Sequence, residues 1–198
     1  MTDETRYTEA LTIGHSNLDG PRFIRLLLMH AVDVVVDTRS HPFSKHVPHF
    51  DMPELKALLA NNLMKYMYMG RELGGRPADL SMYDRDGYVL YWRLATTPEF
   101  KKGIARVAAV VKNERSAILC AEEDPIGCHR RLLVGRVLRE RGILVQHIRA
   151  DGTIESEESV CGREGELQQI PLFRSEEREW KSSLSVLRRS QLRPSSEA

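Results

Sequence analysis

Cys120-Ala121-Glu122-Glu123-Asp124-Pro125-Ile126-Gly127-Cys128-His129-Arg130-Arg131 is the stretch that decides how this chain folds. The apolar run Ala117-Ile118-Leu119 precedes it and reads as a buried strand. Leu132, Leu133, Val134, Val137 and Leu138 follow it as an apolar stripe at helical spacing. The stretch is therefore a strand-to-helix turn that packs two thiols, an imidazole, three carboxylates and two guanidinium groups together. Open α/β sheets bind ligands at the carboxyl ends of their strands, so this turn is the first candidate for an active site.

The same alternation extends outward in both directions. Leu11-Thr12-Ile13 is a short strand ending at Gly14-His15-Ser16, and Phe23, Leu26, Leu27 and His30 then share one helical face behind Pro21. Val32 to Val36 is a second strand, ending at Asp37-Thr38-Arg39. Asp51 with Pro53 and Glu54 opens a helix continued by Leu55, Leu58 and Leu59. Lys65 to Tyr68 reads as a short strand, and Gly70 to Gly87 as a long loop. Thr97-Pro98-Glu99 caps a helix carrying Phe100, Ile104, Val107, Ala108 and Val111. Leu144 to Ile148 is a last strand. Strands alternating with helices predict right-handed crossovers and a mainly parallel sheet. The expectation is a three-layer, Rossmann-like α/β domain over residues 8–155. Residues 156–198 are rich in Glu, Ser, Arg and Gln and are expected to form a flexible tail.

Composition narrows the classes. With 198 residues, 41% apolar and 29% charged, the chain is long enough for one well-cored domain and has the make-up of an ordinary globular protein. A net charge of +1 means that any basic surface must be local. No apolar run approaches membrane-spanning length, and Met1 to Arg6 shows no signal-peptide apolar core, so a cytoplasmic protein without a membrane partner is expected. Three cysteines argue against a disulfide framework.

The strand ends would bring His15, Asp37, Arg39, Cys120 and Glu122 to one edge of the sheet, where helix N-termini also attract anions. Arg39, Arg130 and Arg76 add fork-shaped donors suited to phosphate. Asp37 and Glu122 could divide acid and base roles, as cleavage of an N-glycosidic bond or another hydrolysis requires; alternatively Asp37 and Arg39 pair to hold the sheet edge, and Glu122 pairs with Arg130 or His129. Cys128, at a helix start beside His129, suits a nucleophilic thiolate or a buried filler. A Cys-x5-Arg phosphatase loop is not matched, since the spacing lands on Val134 from Cys128 and on Ile126 from Cys120. The separation of Cys120 from Cys128 exceeds the usual zinc-ligand spacing, so neither metal nor cofactor is expected. Tyr66, Tyr68, Tyr83, Tyr88, Tyr91 and Trp92 interleave with Arg71, Arg76, Arg85 and Arg93, a mixture that can stack and hold nucleotides, although part of it belongs in a core.

Taken together, His15-Ser16 after the first strand, Asp37-x-Arg39 with Pro42 and Ser44 after the second, Leu73-Gly74-Gly75-Arg76, and Cys120-x-Glu122 with Cys128-His129-Arg130 resemble the domain-of-unknown-function 488 family over about residues 11–152. The resemblance implies the fold and the site residues, and it implies no particular reaction. A second resemblance lies in the tail. Gln169-Ile170-Pro171-Leu172-Phe173 is similar to the short peptide by which bacterial replication and repair proteins dock on the DNA sliding clamp, with Ile170 where Leu is commoner. A polar tail presenting Ile170, Leu172 and Phe173 as apolar anchors and Gln169 as an amide fits a preformed groove; the alternative is that Leu172 and Phe173 fold back on the domain.

These readings lead to an expected enzyme of DNA metabolism, in repair or base processing, that cleaves hydrolytically or glycosidically and is recruited to the clamp. Its catalytic candidates are Asp37, Glu122, Cys128 and His129, with His15, Ser16, Arg39, Ser44, Arg76, Cys120 and Arg130 binding a DNA or nucleotide substrate. The alternatives are a thiol-dependent or phosphate-handling enzyme on a small molecule, and a non-catalytic nucleic-acid-binding adaptor.

Overall fold

Val34, Val35 and Val36 alternate between two hydrophobic cores, one on each face of the sheet, and this two-sided burial is what a parallel strand covered by helices requires. The computed structural model describes residues 8–167 and 180–187. Strands β1 (Glu9–Gly14), β2 (Val34–Asp37), β3 (Lys65–Tyr68), β4 (Ser116–Cys120), β5 (Leu144–Ile148) and β6 (Ile154–Ser156) lie in the order β3-β2-β4-β1-β5-β6. The first five are mutually parallel, and β6 pairs antiparallel with β5.

Helices α1 (Gly20–Met29) and α2 (Met52–Ala60) pack on one face through Phe23, Leu27, Leu55 and Leu59. After the short helices α3 (Gly70–Leu73) and α4 (Tyr91–Leu94), helices α5 (Pro98–Asn113) and α6 (Arg136–Glu140) cover the other face through Phe100, Ile104, Val107 and Leu138. The predicted three-layer α/β architecture is therefore present. Its caps are local and readable. Asp19 accepts from the Arg22 N–H at 2.6 Å, and Thr97 Oγ1 accepts from the Phe100 N–H at 3.2 Å, satisfying donors that a helix start leaves free. Asp51 occupies the predicted start of α2, but its carboxylate accepts from the Ser44 N–H at 2.7 Å and ties down the preceding loop instead.

The folded unit continues past residue 155. Helix α7 (Glu157–Leu167) follows β6 directly. Glu157, 8% exposed, meets Arg131 at 2.9 Å and His147 at 3.1 Å. Arg163 on α7 bridges Asp124 and Glu155. Residues 180–187 return to the domain: Ser182 N–H donates to Val89 O at 2.9 Å, Val186 N–H to Gly87 O at 3.0 Å, and Trp180 Nε1 to Leu132 O at 2.7 Å. Ion pairs and backbone bonds, rather than an apolar stripe, hold these segments, which is why their composition reads as a tail. Among the described residues, no helix is long and apolar enough to cross a membrane.

Candidate functional site

Strands β1 and β4 are neighbours whose connections leave in opposite directions, β1 through α1 to β2 and β4 through α6 to β5. Adjacent connections that diverge in this way open a crevice at the carboxyl ends of the two strands. The backbone there is drawn tight. His15 N–H donates to Cys120 O at 3.1 Å and Ser16 N–H to Ala121 O at 2.8 Å. Gly14 allows this closeness, because a Cβ there would lie 1.7 Å from Glu122 O. Ser16 contributes through this backbone bond, with φ at 43°, and its neighbour His15 reaches the crevice.

At the end of β2, Asp37 is fully buried and Arg39 is 6% exposed. The two pair through Arg39 Nε at 2.9 Å and an Arg39 Nη at 2.7 Å, and Asp37 also accepts from the Arg39 N–H and the Tyr66 hydroxyl. Arg39 Nη1 lies 3.2 Å from His15 Nε2. With His15 Nδ1 donating to Ser16 O at 2.9 Å, Nε2 is the acceptor for Arg39. Burial pushes the His15 imidazole down to about 4, with the Arg39 charge adding to it, so the ring is neutral at physiological pH.

Beyond β4 the chain forms the turn that the sequence singled out. Arg130 is fully buried beneath it and donates to Thr12 Oγ1 at 3.2 Å, to Glu123 O at 2.7 Å and to Glu122 O. It is a staple for the loop and does not reach the cavity surface, contrary to the expectation that it binds substrate. Arg130–Gly135 forms a π-helical turn that leads into α6, a local widening often found at functional sites. Above the staple, Glu122 Oε2 lies 2.8 Å from Cys120 Sγ and 3.1 Å from Cys128 Sγ. His129 Nδ1 lies 3.4 Å from Cys120 Sγ, while its Nε2 is 3.1 Å from Thr38 O. Gly75 makes room for this ring, since a Cβ there would come 2.7 Å from His129 Cγ. That contact explains why the Leu73-Gly74-Gly75-Arg76 motif belongs with the Cys-His block.

The electrostatics of this cluster are uneven. Shielding of its carboxylate end opposes ionisation of Glu122, although the residue is open on the cavity side, but contacts from both thiols hold it down to about 2. Burial and the neighbouring thiol push Cys120 up. Burial also works against the Cys128 thiolate, yet the Cys120 contact and the Arg130 and His129 charges draw it down to about 5. His129 is raised despite its burial, chiefly by Cys128. The ligand atoms of Cys120, Glu122, Cys128 and His129 all lie within 4.8 Å of one another, the arrangement among the described residues that could hold a metal ion.

These groups face one cavity of about 550 Å³. Of the predicted residues, His15, Arg39, Ser44, Arg76, Cys120, Glu122, Cys128 and His129 line it. Asp37 does not; it sits behind Arg39. Of the aromatics expected to hold a nucleotide, Tyr91 lines the cavity, and burial with the nearby cysteines and Glu122 keeps its hydroxyl protonated. Three further contributions were not expected. Phe43 lines it while remaining 62% exposed. Ser40 adds a hydroxyl that accepts from the Arg76 N–H at 2.9 Å. Residues 182–186 close one side of the mouth. The docking candidates Gln169, Ile170, Leu172 and Phe173 lie outside the described residues.

A family model described as "Domain of unknown function DUF488" matches residues 20–137. The matched span contains Arg39, Glu122, Cys128 and His129, and the chain belongs to that family. Comparison with curated proteins and with solved structures finds no match.

Proposed function

We propose that the cavity is the active site of a hydrolytic enzyme of DNA metabolism that takes a nucleotide, free or turned out of a strand. The observation that carries this reading is the joining, in one cavity at the topological switch point, of an anchored guanidinium and an ionised carboxylate. Arg39, held by Asp37, offers its remaining donors to a phosphate. Phe43 presents an aromatic face on which a base can stack, and the volume is in the range of small-molecule sites. Glu122, ionised at neutral pH, takes a proton from an attacking water, and the Tyr91 hydroxyl is a donor for the leaving atom. Asp37 then positions Arg39 and takes no part in proton transfer. Residues 169–173 recruit the enzyme to the sliding clamp.

The test uses the full chain on oligonucleotides carrying damaged or mispaired bases, single- and double-stranded, and on free nucleotides, with products read by mass spectrometry. Glu122→Gln is expected to slow turnover about 10²- to 10⁴-fold, and Arg39→Met to raise KM more than it lowers kcat. No product from any substrate, or full activity of Glu122→Gln, refutes the reading. A peptide of residues 168–174 is expected to bind a bacterial clamp at about micromolar Kd; a calorimetric titration without heat removes the recruitment step. A second reading, thiol catalysis, draws on the depressed Cys128 thiol beside His129. It replaces the first if Cys128→Ser abolishes turnover while Glu122→Gln does not.

A further inference from the structure

We infer that Cys120, Cys128, His129 and Glu122 form a binding site for a single zinc ion. Four groups of the kind zinc prefers, two sulfurs, an imidazole nitrogen and a carboxylate oxygen, converge from the end of β4, the loop and the start of the following helix. The distances have the right scale. Tetrahedral coordination at ordinary Zn–S, Zn–N and Zn–O lengths spaces neighbouring ligand atoms about 3.6 Å apart. The observed separations are 3.4 Å for Cys120 Sγ to His129 Nδ1, 2.8 Å for Cys120 Sγ to Glu122 Oε2 and 3.1 Å for Cys128 Sγ to Glu122 Oε2. Side-chain relaxation of up to about 0.8 Å, largest between Cys120 Sγ and Glu122 Oε2, opens this set around an ion.

A second observation points the same way. His129 Nε2 is 3.1 Å from the Thr38 carbonyl, so that nitrogen keeps its proton, and loss of the Nδ1 proton to an incoming metal would turn a lone pair toward the sulfurs. A histidine whose far nitrogen donates to a backbone carbonyl is the usual arrangement of a metal-bound imidazole. The surrounding charge also suits the ion. Once a metal displaces the thiol protons, two sulfurs and one carboxylate would bring three negative charges against the ion's two positive ones, and the buried Arg130 guanidinium, bonded to the loop carbonyls of Glu122 and Glu123, stands beneath the cluster as a further positive charge. That same guanidinium fixes the loop between Cys120 and Cys128, so the ligands are gathered in advance.

Cys120 and Cys128 are 3% and 2% exposed, whereas Glu122 is exposed on the cavity side. Glu122 is therefore the ligand that can yield its place. In the hydrolytic reading above, on which this one step rests, water enters there, and zinc lowers its pKa to about 7. Metal binding itself stands on the cluster alone.

The test is a titration of the full-length, reduced, chelator-treated protein with Co²⁺, read by absorption without any substrate, so its outcome is separate from that of the activity assay. Saturation at one equivalent is expected, with the intense visible bands of tetrahedral cobalt and a near-ultraviolet thiolate-to-cobalt charge-transfer band, all lost on adding one equivalent of Zn²⁺. Cys128→Ser and His129→Gln should weaken binding beyond the roughly 10- to 100-fold that loss of an outer partner costs, and Cys128→Ser should reduce the charge-transfer band. Glu122→Gln should keep that band, because both thiolates remain, while weakening binding. Cys161→Ser, which changes the exposed thiol on α7, should match the parent. Circular dichroism checks that each variant is folded, and the titration of the unaltered protein still tests the site where a variant does not fold. No saturable spectrum, a pale octahedral one, or a spectrum unchanged in folded Cys128→Ser overturns the assignment. If the metal-free protein instead loses two protons in mass on mild oxidation and binds no cobalt when reduced, the pair is a redox dithiol and the zinc site is excluded.

Discussion

Replacing Asp37 with Asn separates the two roles this carboxylate could have. The side chain is fully buried and accepts from the Arg39 N–H, Arg39 Nε, an Arg39 Nη and the Tyr66 hydroxyl. The amide oxygen of Asn can keep the first two. The amide nitrogen then stands where Oδ2 accepted, and faces two donors. Two charge-assisted bonds, each worth about 1.5–3 kcal/mol, are lost. The buried guanidinium also loses its counter-charge, and breaking such a pair typically costs about 3–5 kcal/mol in all. With a urea slope of about 2 kcal/mol/M, the unfolding midpoint should fall by about 1.5–2.5 M. Tyr66→Phe removes only the hydroxyl's bond to the carboxylate and should cost about 1.5–3 kcal/mol. Urea denaturation at pH 7, followed by circular dichroism, measures both. A change below about 1 kcal/mol in Asp37→Asn would refute the claim that Asp37 anchors Arg39. With the anchor gone, anionic ligands should bind more weakly while the rate of the bound complex changes less.

Two further predictions follow from the same geometry. The unfolded chain protonates His15 below about pH 6.5, whereas the folded protein does so only near pH 4. Stability is therefore lost as pH falls through that window, by about 2 kcal/mol between pH 7 and pH 5; His15→Gln should flatten that part of the profile, and an unchanged slope in denaturation series would show that His15 is not held neutral. Gly14→Ala would place a methyl group 1.7 Å from Glu122 O, which the loop must move to accept. It should cost about 2–3 kcal/mol and weaken cobalt binding; normal stability by thermal denaturation would mean the loop has room to give.

What the sequence revealed and what it hid divide along a physical line. Strands β2 and β4 and helix α5 are marked by local signals: a run of valines, the apolar run Ala117-Ile118-Leu119, and a capping threonine followed by proline. Each appears where expected, because the residues that stabilise it are its own neighbours. Strand β6 and helix α7 have no such signal. They are held by Arg149 to Glu123 and Glu155, by Arg163 to Asp124 and Glu155, and by Glu157 to Arg131 and His147, pairs of charges that leave no apolar periodicity and half of which join residues more than twenty positions apart. The segment at 180–187 is anchored mainly through backbone groups of residues 87–89 and 132, which no side-chain pattern announces.

The site shows the same division more sharply. The arginines after the strands read naturally as phosphate ligands, because a guanidinium at a sheet edge has that chemistry. Exposure is what decides, and exposure depends on the whole fold. Arg130 is fully buried and all three of its nitrogens donate to the protein, so it shapes the turn instead of touching a ligand. Arg39 is nearly as buried but reaches the cavity, because Asp37 and Tyr66 brace it from behind and leave one edge forward. Tyr66 comes from β3, the strand paired with β2, and sequence gives no register for that pairing. The separation of Cys120 and Cys128 in sequence likewise gives no sign that the two thiols come together, since a longer loop is folded back by the arginine beneath it. The thiols meet because Arg130 holds the carbonyls between them, so removing that guanidinium should disperse the cluster even though it contributes no atom to the cavity.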